Sequence, residues 1–186
     1  MSVDKEEKTF PTLEDFHYFQ FNKEFDRESC GEAIEFILVR NLLEEDRPRQ
    51  MKMLINSPGG DVASAFALID TMKGSRIPVH TYGLGEICSC GLMTFIAGYR
   101  GKRFVTRNTA ILSHQYSWDS AGKDHELMAR VKEFRNTQER ILEHYKRCTG
   151  LDDRMIKKYL LPPQDVWLTA REAVKYGIAD EVVDFY

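Results

Sequence analysis

No window of this 186-residue chain approaches the roughly 18 consecutive apolar residues that a membrane-spanning helix needs. The opening stretch, MSVDKEEKTF, lacks the apolar core of a secretory signal. Basic blocks are missing as well. The cations stand as scattered pairs such as Lys102-Arg103 and Lys157-Lys158, and the net charge is −3, so nothing marks a binder of nucleic acid or of an acidic membrane face. Cysteine is scarce: Cys30, Cys88, Cys90 and Cys148 are the four present. A leaderless chain with so few is expected in a reducing compartment, the cytoplasm, with free thiols. Internal repeats and low-complexity segments are absent too. What is there is an ordinary globular composition, 42% hydrophobic and 30% charged, in a length that fits one domain.

The pattern of apolar residues predicts strands alternating with helices. Residues 1–15 are polar and expected to be flexible, ahead of a single domain over 16–186. Phe16–Phe21 reads as a first strand, Glu32–Leu43 as a helix, and Asp46–Gln50 as a charged turn. Met51–Ile55 is a short apolar strand, Val62–Met72 a helix ending near Gly74, and Val79–Tyr82 a further strand. The small apolar residues of 87–97 suggest a buried helix. Phe104-Val105 and Ile111-Leu112, either side of Arg107-Asn108, read as a strand pair. Between 123 and 149, Leu127, Val131, Phe134, Gln138, Ile141, Tyr145 and Cys148 recur at alternating steps of four and three, which predicts one long helix closed by Gly150. A short helix over Asp152–Tyr159 is broken by Leu161-Pro162-Pro163. Thr169-x-x-Glu172 is a capping box opening a helix that ends at Gly177, and Ile178–Val183 is a last strand. Such alternation implies an α/β domain with parallel pairings.

Three stretches hold groups able to do chemistry. In Met53-Leu54-Ile55-Asn56-Ser57-Pro58-Gly59-Gly60 a strand feeds a glycine turn and then a helix start, whose unpaired N–H groups can hold a phosphate or an oxyanion. A tight turn with no ligand has the same pattern. Gly85–Met93 repeats it, with Ser89 at the turn between Cys88 and Cys90. A hydroxyl there sits in the positive end of a helix dipole, as a nucleophile would. The same residues could instead be small packing groups, or Cys88 and Cys90 could be metal ligands, a redox pair or a thiolate nucleophile, although zinc wants four ligands and no paired spacing supplies them. His114 closes the apolar run Ile111-Leu112-Ser113, where a general base can be held rigidly and where a hydrogen-bonded core histidine is equally at home.

In order and spacing, Ile55-Asn56-Ser57-Pro58-Gly59-Gly60, then Gly85-x-x-x-Ser89-x-Gly91, Gly101-Lys102-Arg103-Phe104 and His114-Gln115 resemble the proteolytic subunit of the Clp protease (ClpP). Ser89 falls 29 residues after Gly60, and His114 falls 25 after Ser89. Asp165-x-x-Leu168-Thr169-Ala170-x-Glu172-Ala173-x-x-Tyr176-Gly177 is similar to that family's closing segment. The resemblance spans residues 16–186. It implies a crotonase-like α/β spiral of β-β-α units with a protruding handle helix, here about 123–149. It implies a serine endopeptidase with Ser89 as nucleophile, His114 as general base and acid, Asp165 orienting the imidazole, and the backbone N–H groups of Gly60 and Cys90 as the oxyanion hole. It implies heptameric rings stacked as a tetradecamer, an AAA+ unfoldase as partner, unfolded polypeptides as substrate, and no cofactor or metal.

The chain also departs from that family. The segment before Phe16 is shorter than the usual axial loop and helix, which implies different unfoldase docking. Cys90 stands where methionine is common, Tyr116 where proline follows His-Gln, and Gln164 where an arginine helps join the rings. Ser117–Gly122 holds one glycine in a region usually rich in them. A short insertion around Leu161-Pro162-Pro163 leaves Asp152 and Asp153 as alternatives to Asp165. These departures suggest a divergent member, in the host cytoplasm if phage-encoded. The alternatives are a viral head-maturation or processing protease of the same fold acting without an unfoldase, a non-catalytic ring subunit, and a crotonase-type acyl-CoA enzyme.

Overall fold

Two apolar strands, β2 (Met51–Ser57) and β3 (Val79–Cys88), form the middle of the sheet. Met51, Met53 and Ile55 on one and Val79 and Ile87 on the other are buried, as expected of parallel strands covered on both faces. The computed structural model describes residues 10–43 and 47–184. Residues 1–9 of the expected flexible segment, and Asp46 of the charged turn, lie outside the described residues.

The sheet order is β1 (Tyr18–Phe21), β2, β3, β4 (Arg103–Val105), β7 (Glu181–Val182), all parallel. Off this path, β5 (Ala110–Ser113) runs parallel to the last residues of β3, and β6 (Val166–Leu168) runs antiparallel to β5. A bend in β3 makes this branching possible. Its register with β2 slips from Ile55↔Gly83 to Ser57↔Ile87, so that Asn56 faces three residues. Gly85 turns the corner at φ +62°, where a side chain would be strained. The Asn56 side chain substitutes for the broken ladder, its Oδ1 accepting from the Glu86 N–H at 3.0 Å. Before the bend Thr81–Gly83 pair with β4, and after it Glu86–Cys88 pair with β5. The expected pairing of Phe104-Val105 with Ile111-Leu112 is therefore wrong: each strand pairs with a different half of β3.

The helices are α1 (Arg27–Leu42), α2 (Val62–Gly74), α3 (Cys90–Ile96), α4 (Asp124–Thr149), α5 (Asp153–Tyr159) and α6 (Ala170–Lys175). α1 starts earlier than its apolar spacing suggests, because Asp26 and Ser29 form a reciprocal cap, Asp26 accepting from the Ser29 N–H at 2.7 Å and Ser29 Oγ from the Asp26 N–H at 3.0 Å. β3 runs on to Cys88, so the small-residue helix begins at Cys90 rather than 87. The last strand keeps only Glu181–Val182 of the expected Ile178–Val183.

α4 divides in two. At about 1.5 Å per residue its 26 residues extend roughly 39 Å. Thr137, Ile141, His144, Tyr145 and Cys148 are buried in its second half, whereas no residue from Asp124 to Asn136 is. The half-buried Leu127, Val131 and Phe134 continue the apolar stripe along the projecting half. Among the described residues, no helix is long and apolar enough to cross a membrane. Near the end of α4 the Arg103 guanidinium pairs with Asp180 at 2.6 Å and donates to the Cys148 carbonyl at 2.9 Å, joining β4, α4 and the approach to β7.

Candidate active site

Ser89 is the hinge between β3 and α3. Its backbone, at φ +53° and ψ −117°, lies in a region that non-glycine residues rarely adopt, at a cost of about 1–3 kcal/mol. The surroundings hold it there. Its N–H donates to the Leu112 carbonyl of β5 at 3.0 Å, and its carbonyl accepts from the Met93 N–H at 3.0 Å. A strained strand-to-helix turn of this kind lifts a hydroxyl out of the sheet.

The Pro58-Gly59-Gly60 turn packs directly against it. Gly59 has φ +107°, and a Cβ placed there would lie 2.7 Å from Ser89 Cβ and 3.0 Å from the Cys88 carbonyl. Gly60, at φ +145°, passes so close to Phe25 that a side chain would strike the Phe25 backbone. The contact is a parallel bridge in which the Phe25 N–H donates to Gly59 (2.8 Å) and the Asp61 N–H donates to Phe25 (2.7 Å). The Gly60 N–H takes no part in it. Cys90 opens α3, so its N–H has no partner within the helix. Neither group makes a hydrogen bond among the described residues, and both belong to the two turns that meet at Ser89.

Between these turns and α4 lies a cleft of about 230 Å³ bordered by Gly60, Ser89, His114, Tyr116, Ile141 and Tyr145. His114 follows β5 directly. The residues beside it are tied down: Ser113 Oγ donates to the Leu160 carbonyl (2.6 Å) and meets the Tyr145 hydroxyl (3.0 Å), and Gln115 Nε2 donates to the Leu161 carbonyl (3.0 Å). Ser113 and Gln115 are thus anchored to residues 160–161, and His114 between them borders the cleft, as Gln115 does.

Asp165 immediately precedes β6. Continuing the register Ser113↔Val166 by one residue sets it across from His114. It is exposed and does not border the cleft. Among the described residues, no hydrogen bond joins the side chains of Ser89, His114 and Asp165. The other carboxylates weighed for that place are engaged elsewhere: Asp152 caps α5 through the Met155 N–H (2.7 Å), and Asp153 pairs with Lys146 (2.9 Å).

All four cysteines are free and buried. Burial pushes the thiols of Cys30, Cys88 and Cys90 up to about 11, which makes them poor nucleophiles at neutral pH. Cys90 Sγ donates to the Gly60 carbonyl at 3.2 Å, linking the two turns. Among the described residues, no group of three or more His, Cys, Asp or Glu side chains could hold a metal ion.

Two residues that border the cleft, Asp61 and Tyr145, and one behind it, Ser113, are given no part in the site by the sequence argument. Asp61 caps α2, accepting from the Ser64 N–H and hydroxyl at 2.7 and 2.6 Å, and the hydroxyl bond above all holds its carboxyl below the ordinary value. Its signal, an Asp just before an apolar run, was legible in principle. Ser113 and Tyr145 had none, since their contact spans 32 residues.

A family model described as Clp protease matches residues 7–185. The chain is 35% identical over 143 residues (77% of it, 71% of the relative) to the ATP-dependent Clp protease proteolytic subunit 2 of Corynebacterium diphtheriae. It is 34% identical over 158 residues (85% and 82%) to subunit 1 of Corynebacterium jeikeium, and 36% over 142 residues (76% and 69%) to subunit 2 of Thermobifida fusca. With so much of its length matched at these identities, the chain belongs to the Clp protease family, as a serine-type endopeptidase of the ClpP-type α/β fold.

Proposed function

We propose that Ser89 is the nucleophile of this peptidase and His114 its general base and acid. Asp165 orients the imidazole, and the N–H groups of Gly60 and Cys90 receive the oxyanion. Ser89 Oγ attacks the peptide carbonyl as His114 takes its proton. The tetrahedral oxygen accepts from the two N–H groups, His114 protonates the leaving amine, and water then releases the acyl group. One observation carries this reading: the strained Ser89 shares a single cleft with His114 and with Gly60, whose N–H is unpaired. The register that sets Asp165 across from His114 supports the third role.

The family implies an oligomer that associates with Clp ATPases, and the relatives' names describe the proteolytic subunit of an ATP-dependent protease. The finer picture we propose is a heptameric ring, stacked as a tetradecamer through the projecting half of α4 and enclosing the clefts. It degrades unfolded chains or peptides in the cytoplasm, with an AAA+ unfoldase as feeder. The single domain over 16–186 is part of the same reading. A non-catalytic ring subunit is favoured by one observation, the missing hydrogen bond between Ser89 and His114.

Intact mass after treatment with a fluorophosphonate, beside a Ser89→Ala control, separates the two. One adduct per chain on the wild type and none on the control is expected. A folded wild type that takes no adduct overturns the catalytic reading in favour of the scaffold.

A further inference from the structure

Among the described residues, the cleft that holds Ser89 and His114 is bordered by one carboxylate, Asp61, and by no lysine or arginine. Asp61 is exposed, and its carboxylate makes no salt bridge among those residues. Both bonds from Ser64 fall on the same oxygen, Oδ2, and hold the group in place. Arg27 stabilises the charge through space, as a lesser influence than those bonds. The charge is felt on the opposite wall of the cleft. Burial raises the pKa of the Tyr116 hydroxyl, the charges of Glu133 and Asp61 add to the rise, and Arg140 opposes it. Of these three, Glu133 and Arg140 offset each other: they pair at 3.6 Å, with Thr137 hydrogen-bonded to both at 2.6 Å. Asp61 is left as the cleft's uncompensated charge. It directly follows Gly60, and consecutive Cα atoms lie about 3.8 Å apart. A carbonyl bound at the Gly60 N–H therefore lies close to this carboxylate.

We infer that Asp61 is a specificity-determining residue that selects substrates with a lysine or arginine side chain within two residues of the cleaved bond and disfavours glutamate or aspartate there. The inference rests on the reading of Ser89, His114 and Gly60 above. The cationic head pairs with the carboxylate, and the apolar stem lies along the half-buried Val62, which also borders the cleft. Ser64 fixes the carboxylate before a substrate arrives, so little side-chain freedom is lost on pairing. Water screens an exposed pair, so the preference is modest, about fivefold. An acidic side chain in the same place meets a like charge and gains nothing in return.

The test compares kcat/KM for internally quenched peptides that differ only by lysine, glutamine or glutamate at each position within two residues of the cleaved bond, with the bond identified by mass spectrometry. The proteins are the full chain and its Asp61→Asn and Asp61→Ser variants. Asparagine and serine also cap helices well, so both variants keep the start of α2 and lose the charge. A ratio between two peptides within one protein cancels any general loss of activity. In the wild type, lysine is expected to exceed glutamine about fivefold at one of these positions, and glutamine to exceed glutamate. Both variants should bring the ratio of lysine to glutamine to within about a factor of two of unity. High salt should shrink the wild-type ratio, because salt screens exposed charges. A wild type with no basic preference, or a preference that persists in a folded Asp61→Asn protein, overturns the inference and leaves Asp61 as a cap alone. Should neither variant fold, the salt series decides: a ratio that does not respond to salt sinks the proposal. A wild type that takes no fluorophosphonate adduct overturns the catalytic reading and this inference with it, whereas one that labels yet shows no charge preference overturns the inference alone.

Discussion

Gly59→Ala is the sharpest probe of how the two turns build the site. An alanine at φ +107° carries a backbone penalty of about 1–2 kcal/mol. Its methyl group would also lie 2.7 Å from Ser89 Cβ, whereas carbon atoms prefer about 3.5–4.0 Å, so roughly 1 Å must be found by moving one turn against the other. Ser89 has little freedom to yield, with its N–H on Leu112 and its carbonyl on Met93. The Ser89 hydroxyl and the Cys90 N–H therefore shift together, and in the catalytic roles proposed for them a misplacement of about 1 Å is worth on the order of 100-fold in rate. Gly101→Ala is the control. Gly101 also has positive φ, +85°, but nothing lies within 4 Å of its would-be Cβ. Both variants should lose a few degrees of Tm, about 2–4 °C per kcal/mol for a chain of this size. The assay is the second-order rate of fluorophosphonate labelling together with kcat on a fluorogenic peptide. Gly59→Ala should fall about 100-fold and Gly101→Ala should stay within a factor of two. A folded Gly59→Ala protein that labels at the wild-type rate would refute the idea that this contact positions Ser89.

His144 supplies a pH dependence. It is 4% exposed, and its Nε2 meets the Met93 carbonyl at 2.8 Å. Burial, the dominant cause, lowers its pKa from 6.5 to about 4. The folded state thus prefers the neutral ring. Its stability is complete above about pH 6.5 and declines by roughly 3 kcal/mol as the pH falls to about 4. Urea unfolding across that range should show the decline, and His144→Gln should flatten it; equal slopes in both proteins would count against it. At the Arg103–Asp180 pair, burial of Asp180 opposes ionisation, but the Arg103 hydrogen bond and charge outweigh it and leave the carboxyl below its ordinary value. Its stabilisation is present above about pH 4 and lost as the pH drops through that lowered pKa. Asp180→Asn leaves a 4% exposed guanidinium without its counter-charge, so a loss of about 3 kcal/mol is expected in chemical denaturation at pH 7, and a loss under 1 kcal/mol would show the pair to be dispensable. Finally, iodoacetamide at pH 7.5 should leave Cys88 and Cys90 unmodified in the native protein, as their raised thiols predict; rapid alkylation of either would reopen the thiolate reading.

Features set by neighbours a few residues apart were legible before the fold was known. The long helix stops at Gly150, which takes φ +77° there, and the Thr169–Glu172 capping box opens α6. The Gly59-Gly60 turn, the Ser89 turn and His114 at a strand end all stand where the residue pattern put them. These depend on contacts within one turn or on backbone freedom at single glycines, and a short window of sequence contains them. The start of α1 differs: its first turn is polar, so the apolar stripe begins later than the helix, which the Asp26–Ser29 box opens at Arg27.

Pairing across long separations was a different matter. Phe104-Val105 and Ile111-Leu112 carry the same apolar alternation whether they pair with each other or with β3. Only the bend at Asn56 and Gly85 sends them to separate halves of one strand. β6 went unread because three residues show no periodicity, yet its register with β5 is what sets Asp165 across from His114. The sequence by itself thus determined which residues can do chemistry and which local turns present them. Only the tertiary structure decided that the two glycine turns touch and that Tyr145 and Ser113 brace the histidine strand. Those contacts join residues tens of positions apart, and their free energy comes from burying surfaces that no short window contains.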